Sequence, residues 1–146
     1  MGVPFMPVRG VLGTDYLTVR PDFKVIRNPY GDDDIVIVPA IVPDVAIFHA
    51  FRADREGNVV TDSDQNNWLV AQAAKKVIVT AEEIIDTDQL VRYARETGVS
   101  WIHVNAVVHA PFAAHPTSCR GYYDKDVAHI KEYMQYAKND ESFQQY

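Results

Sequence analysis

The sequence predicts an α/β protein with an open, mostly parallel sheet and helices on both faces. Two short runs, residues 35–38 and 45–51, are apolar at successive rather than alternate positions, which is typical of strands buried on both faces of a parallel sheet. Further along the chain, β-branched runs alternate with segments of helical periodicity, and this alternation is typical of α/β domains.

The N-terminal 34 residues are rich in Pro, Gly and Asp. They predict a mostly irregular segment with one short extended piece at residues 24–27. The sequence Asn-Pro-Tyr-Gly at 28–31 predicts a turn, because proline presets one backbone torsion and glycine tolerates unusual ones.

Helices and strands are predicted to alternate after the second apolar run. A helix carrying Trp68 and Leu69 follows several possible caps at residues 61–64, and the β-branched run 75–80 predicts a strand. A second helix opens at residues 86–88, with Leu90, Val91, Tyr93 and Ala94 on one face and Gly98 as its C-cap.

The last third of the chain predicts a buried strand, an ordered loop and a terminal helix. The strand spans 101–108 and the loop 110–121, and apolar residues recur at three and four positions within 122–138. We expect that amphipathic helix to dock on the sheet and residues 139–146 to fray.

Composition limits the classes of protein to consider. A chain of 146 residues has the length of a single domain, 1–146, and a formal charge of -6 without a basic cluster argues against nucleic acid as a partner. The single cysteine, Cys119, permits no internal disulfide, so we expect a cytoplasmic protein. Neither a signal peptide nor an apolar window of about 20 residues is present, which argues against membrane association.

Histidine and cysteine patterns give little support for a metal site or a nucleophile. His103, His109 and His115 recur at intervals of six, which do not bring ligands together on a helix, so we expect no metal. Residues 32–34, three aspartates, lack the rest of a calcium loop and predict a solvated turn. Cys119 could act as a nucleophile with His115, although an unreactive cysteine is favoured. The G-x-S-x-G, G-x-G-x-x-G and P-loop motifs are absent.

The strongest candidate site is the polar cluster at residues 52–58, directly after the second apolar run. Ligands of open α/β sheets bind beyond the carboxyl ends of the strands. Arg52 offers a forked donor for a carboxylate or phosphate, with Asp54 fixing its orientation. The alternative is a structural turn in which Asp54 and Asn58 bond nearby amides and Gly57 supplies the unusual torsion.

Three separated segments resemble family I CoA-transferases, in particular the latter half of the alpha subunit of the glutaconate CoA-transferase type. They are PVRGVLGTD, VPAIVPDVAIFHAFRADREGNV and PFAAHPTSCRGYYDKDVAHIKEY. The resemblance covers nearly the whole chain and implies the open, mostly parallel α/β sheet of CoA-transferase and NagB-like folds.

The resemblance also implies a function in acyl-CoA metabolism within a hetero-oligomer. A CoA thioester is the substrate, no cofactor is bound permanently, and a glutamate attacks the thioester in a ping-pong reaction. In two-chain members that glutamate belongs to the beta subunit, so no catalytic residue is assigned to this chain. The residues assigned to substrate or interface contacts are Arg9, Arg52, Asp54 and Asn58.

Two departures from the family define the expected partners. Family alpha subunits are about twice this long and carry a glycine-rich segment in their earlier half, which nothing here matches. Residues 56–58, Glu-Gly-Asn, differ in order from the Glu-Asn-Gly motif that marks the nucleophile in some relatives. We therefore expect acyl-CoA and a beta-type subunit as partners. The chain itself is expected to be either a split subunit, with a separately encoded N-terminal half as a third partner, or a truncated product.

Two alternatives to the transferase remain open. A related branch uses the same architecture as hydrolases that open CoA-linked rings in steroid breakdown. The chain could also be a non-catalytic assembly or binding module.

Overall fold

The computed structural model describes residues 2–93 and 98–146, which form two compact units within residues 1–42 and 43–146. Each unit has its own sheet. The assignment of 1–146 to a single domain stays a prediction.

The first unit is a three-stranded antiparallel sheet with a short helix. Its strands are β1 (Phe5–Val8), β2 (Lys24–Arg27) and β3 (Asp34–Pro39), in the order β1-β3-β2, and α1 spans Tyr16–Val19. The predicted turn closes the β2–β3 hairpin, where the Asn28 amide donates to the Asp33 carbonyl over 2.9 Å.

Two predictions for this unit are wrong. Residues 35–38 form an antiparallel strand rather than a strand of a parallel sheet, because the short turn folds β2 directly back onto β3. The segment before residue 35 is also more regular than predicted. Strand β1 was not predicted because it contains Pro7, and proline is unusual in strands although an edge strand tolerates it. Its partner, β3, is also distant in sequence.

The second unit contains the predicted α/β sheet. Five strands lie in the order β7-β5-β4-β6-β8, and three of them, β4 (Val45–Ala53), β6 (Lys76–Ile84) and β8 (Ala106–His109), run parallel. The short strands β5 (Val59–Val60) and β7 (Gly98–Val99) pair antiparallel. Fold class is therefore confirmed as α/β.

Small and β-branched residues form the core on one face of this sheet. Helix α2 (Asn67–Ala73) connects β5 to β6 and buries Ala71 against the sheet. The sheet residues in this core are Ala46, Ala50, Ala53, Val77, Val79 and Ala81. Alanines in β4 and β6 leave room for α2 to approach closely, which a leucine or isoleucine face would prevent.

The segment between β6 and β8 is less regular than predicted. Helix α3 is only Thr87–Leu90, followed by a 3₁₀ turn at Val91–Tyr93, and the predicted helical residue Ala94 lies outside the described residues. Gly98 is a strand residue opposite Val60 rather than a C-cap. The predicted strand 101–108 begins only at Ala106, because the Asn58 side chain accepts the Trp101 amide and Trp101–His103 form a 3₁₀ turn.

The C-terminal segment also differs from its prediction. Helix α4 is Val127–Tyr136, and the Asp126 side chain caps it by accepting the His129 amide over 2.9 Å. None of its residues is buried, so the predicted docking on the sheet is wrong. The chain beyond it is helical rather than frayed, because Asn139 caps α5 (Asp140–Phe143).

Within residues 2–93 and 98–146, every helix is too short or too polar to cross a lipid bilayer.

Replacing Val79 by alanine tests the core between β4 and β6. Val79 is fully buried, so Val79→Ala should lower the free energy of unfolding by about 2 kcal/mol through lost burial and a small cavity. Urea-induced unfolding measures the change. Val127→Ala, on the half-exposed start of α4, is the matched control and should change stability by less than about 0.5 kcal/mol; equal losses in both variants would contradict this core assignment.

Candidate functional site

A tight turn at the carboxyl end of β4 is built around the carboxylate of Asp54, which is 1% exposed. It accepts hydrogen bonds from the Asn58 amide and side-chain nitrogen, both over 2.8 Å, and from the Thr87 hydroxyl over 3.0 Å. Gly57 has a φ of +99°, a torsion that favours glycine. These contacts form the structural turn that the sequence offered as an alternative, and a ligand role for Asp54 and Asn58 stays a prediction.

The charge of Asp54 is stabilised by those donors. Burial by itself would raise the pKa of Asp54, but the hydrogen bonds from Asn58 and Thr87 outweigh it and the pKa lies below its ordinary value of 3.8. The carboxylate is therefore ionised at neutral pH and fully occupied by protein donors.

Arg52 lies two residues before this turn and is held by a carboxylate and two aromatic rings. Its Nε donates to Glu83 over 3.1 Å, and its guanidinium carbon lies 4.2 Å from the Tyr93 ring centroid and 5.4 Å from that of Tyr122. Both contacts stabilise a cation and fix its plane. The bond from Nε leaves the terminal nitrogens of the guanidinium for an anion, in a cavity of about 250 Å³ that Arg92 also lines.

A larger cavity of about 540 Å³ lies beside the turn. Residues 54–57 form one wall, and Ile84, residues 104–107 and His109 form the rest. The cavity has the volume of a small-molecule site, and the exposed side chains of Arg55 and Glu56 give it charges of both signs.

Arg9 is separate from this cluster in sequence and belongs to the first unit. Its guanidinium pairs with Asp33 over 3.2 Å, and its side chain is 79% exposed.

The prediction that Asp54 orients Arg52 is wrong, because Glu83 and the two rings hold Arg52 while Asp54 bonds Asn58 and Thr87. The assigned contact roles of Arg52 and Arg9 stay predictions.

Two of the three histidines considered in the sequence, His109 and His115, have separate hydrogen-bond partners. His109 Nε2 lies 3.1 Å from the Glu82 carbonyl oxygen and His115 Nε2 lies 3.1 Å from Asp126. In the aspartate run, Asp32 pairs with Arg27 and Asp33 accepts from Asn28.

A second polar cluster, which the sequence did not predict, surrounds the buried carboxylate of Glu82 on β6. Its Oε1 lies 2.6 Å from His49 Nε2 and accepts the Tyr123 hydroxyl over 2.6 Å, while Oε2 accepts the Phe112 amide over 2.9 Å. Burial would raise the pKa of Glu82, but these donors outweigh it and the pKa lies below the ordinary 4.5. The cluster therefore ties the loop at 110–123 to the strands by a buried negative charge.

The one available sequence signal for this cluster is Glu82 itself, an acidic residue at the end of a β-branched run. Charged side chains are rarely buried without partners, so Glu82 had to have donors.

Cys119 lies beside this cluster rather than in a reactive pair with His115. Ligand atoms of His49, Glu82 and Cys119 lie within 4.8 Å of one another, a set that could hold a metal ion by type, but the imidazole and the carboxylate already bond each other. Burial, with the nearby Glu82 charge, raises the pKa of the Cys119 thiol to about 11. The thiol is therefore protonated at neutral pH and a poor nucleophile, as the sequence favoured.

Comparisons with known proteins agree with this architecture. A family model described as Coenzyme A transferase matches residues 1–110. The A subunit of glutaconate CoA-transferase from Acidaminococcus fermentans is 36% identical over 98% of this chain and 50% of its own length. The A subunit of 3-oxoadipate CoA-transferase from Pseudomonas knackmussii is 34% identical over 97% of this chain and 50% of its own length.

A more distant relative has a different activity. The IpdA subunit of a cholesterol ring-cleaving hydrolase from Rhodococcus jostii is 28% identical over 99% of this chain and 52% of its own length. The chain therefore spans about half the length of these curated relatives.

The fold is shared with a solved structure. The crystal structure of glutaconate coenzyme A-transferase from Acidaminococcus fermentans superimposes with a TM-score of 0.83 at 34% identity, over 97% of this chain and 50% of the other.

Replacing Asp54 by asparagine tests the buried turn. The amide loses the charge that three donors stabilise, so Asp54→Asn should lower the free energy of unfolding at pH 7 by about 1–3 kcal/mol. The pKa of Asp54 in the folded state lies below 3.8. The difference in unfolding free energy between the variant and the unaltered protein should therefore have its full size above pH 3.8 and shrink as the pH falls below that value.

Unfolding curves between pH 7 and pH 3 check this dependence. Glu56→Gln, an exposed residue of the same turn, is the control and should leave stability nearly unchanged. A pH-independent loss in Asp54→Asn would show that the ionised carboxylate does not stabilise the turn.

Proposed function

Because this chain belongs to the coenzyme A transferase family, we propose that it is part of an alpha-type subunit that helps to transfer CoA between an acyl-CoA and a carboxylic acid. The observation that carries this proposal is the match along nearly the whole chain to the A subunits of two CoA-transferases, at 34% and 36% identity. A CoA thioester would be a substrate, not a bound cofactor.

Three carboxylates at the sheet edge are held by donors of this chain. A nucleophilic carboxylate needs an oxygen that can reach the thioester carbonyl. Asp54 and Glu82 are buried and engaged by protein donors, and Glu83 accepts from Arg52. Because the chain resembles two-chain members of the family, in which the attacking glutamate belongs to the beta subunit, we assign no catalytic residue here and infer that a beta-type subunit supplies the glutamate.

The remaining part of the enzyme lies outside this chain. The chain spans about half the length of the curated A subunits, and we propose that the N-terminal half of the alpha subunit and a beta-type subunit complete the enzyme. A single buried thiol requires no oxidising compartment, which is in keeping with a cytoplasmic enzyme.

The contribution of this chain is a wall of the shared cleft. The guanidinium of Arg52, fixed by Glu83 and two rings, is suited to a carboxylate or phosphate of the substrate. Asp54 and Asn58 shape the edge from which it projects, and Arg9 is assigned to substrate or interface contacts.

Reconstitution with the partner chains tests this function. The chain would be assayed for CoA transfer from acetyl-CoA to a dicarboxylate, first alone and then with the N-terminal half and a beta-type subunit. We expect turnover only in the assembled enzyme, and unchanged turnover with Glu132→Gln, an exposed residue of α4. Robust transfer by the chain alone would overturn the proposal.

Two further outcomes would select the alternative functions. Water-dependent cleavage of a CoA-linked ring, without an acceptor acid, would indicate the hydrolase branch. A stable complex that lacks both activities would indicate an assembly module.

Arg52→Lys tests the substrate contact in the assembled enzyme. Lysine keeps the charge but loses the planar fork and its stacking on Tyr93, so KM for the anionic substrate should rise by roughly tenfold. Arg92→Lys, on the rim of the same cavity, is the matched comparison and should have a smaller effect. An unchanged KM in Arg52→Lys would assign Arg52 to the fold alone.

A further inference from the structure

Phe112 adopts a backbone conformation that a bulky side chain normally avoids. Its φ is +60°, and every other positive φ within residues 2–93 and 98–146 belongs to a glycine. Non-glycine residues in this left-handed region persist only where their surroundings impose it, and they concentrate at ligand clamps and active sites.

The buried Glu82 cluster imposes this conformation. The Phe112 amide donates to Glu82 Oε2 over 2.9 Å, and its ring stacks on Tyr123 with centroids 4.9 Å apart. The Tyr123 hydroxyl donates to the other oxygen of the same carboxylate over 2.6 Å and accepts the Ala114 amide over 3.0 Å. Backbone and ring are thus both fixed through one carboxylate.

The result of these contacts is an exposed aromatic ring. The Phe112 residue is 64% exposed, so its conformation does not serve to bury the ring in the core. Phe112 follows β8, and residues on either side of it line cavities. His109 lines the cavity of about 540 Å³, and Ala114 lines another of about 220 Å³. The carboxyl edge of parallel strands is where α/β sheets bind ligands.

We propose that Phe112 is a binding residue for the aliphatic part of a CoA thioester and that Glu82 is its positioning residue. This inference rests on the proposed function and adds a contact to it. The flat face of the ring packs on methylene groups of either the pantetheine arm or the acyl chain. Its place at the carboxyl edge of the sheet, between residues that line two cavities, favours a ligand over a protein partner.

Phe112→Gly is the informative variant because glycine accepts a φ of +60° without cost. The fold should therefore be kept or stabilised while the ring is removed. In the assembled enzyme, calorimetry would measure the dissociation constants of free CoA and of unreactive thioether analogues of acetyl-CoA and of a longer acyl-CoA, a readout that needs no turnover. We expect roughly tenfold weaker binding of the probe whose aliphatic part meets the ring.

The two sources of aliphatic contact give different patterns. Equal weakening for all three probes assigns the ring to the pantetheine arm, and weakening that grows with acyl length assigns it to the acyl chain. Phe143→Ala removes a half-exposed ring from α5 and is the matched control, which should leave all three constants unchanged.

A double-mutant cycle tests the role of Glu82. Glu82→Gln should weaken binding in the unaltered protein but have no further effect when Phe112 is already glycine, because it acts through that residue. A merely structural role would give the same loss in both backgrounds.

Three results would overturn the inference. Unchanged binding by Phe112→Gly would exclude a ligand contact, and weakened assembly with the partner chains would make Phe112 an interface residue instead. If the unaltered complex binds none of the probes, the proposed function itself is refuted. If the unaltered complex binds them and Phe112→Gly has no effect, only this inference is refuted.

Discussion

The parallel pairing of β4 with β6 determines where every candidate functional group of the second unit lies. The register runs from Val45 opposite Lys76 to Ala53 opposite Ile84, so both strands end at the same edge. His49 lies opposite Thr80 and Arg52 opposite Glu83, and each pair is joined by a side-chain hydrogen bond. A shift of one residue would turn these polar groups to the opposite face of the sheet.

Strands β4 and β6 bury two kinds of side chain, apolar and charged. Alanine and valine side chains of both strands pack with Ala71 of α2 in an apolar core. Glu82, by contrast, carries a buried charge. Its burial is tolerated because hydrogen-bond donors surround the carboxylate. Those donors come from β4 and from the loop after β8, so the charge holds the loop over the end of the sheet.

Sequence reasoning was most successful where the interactions are local. Strand β4 follows from consecutive apolar residues and β6 from consecutive β-branched residues, and the turn that Asp54 forms with Asn58 spans only four positions. It was wrong where distant residues decide the structure. The apolar run at 35–38 predicts a parallel strand, but β1 and β2 pair with it in antiparallel orientation. The partners of Glu82, namely His49, Phe112 and Tyr123, are 30 to 41 positions away in the sequence. Nor could the amphipathic pattern of α4 reveal that none of its residues is buried.

In the proposed division of labour, this chain provides a fixed wall and another chain provides the attacking carboxylate. The most direct measurement is to incubate the assembled enzyme with acyl-CoA, trap the glutamyl-CoA intermediate with borohydride or hydroxylamine, and locate the modified peptide by mass spectrometry. We expect the modification on a glutamate of the beta-type subunit. A modified carboxylate in this chain, at Glu56, Glu82 or any other position, would contradict that division.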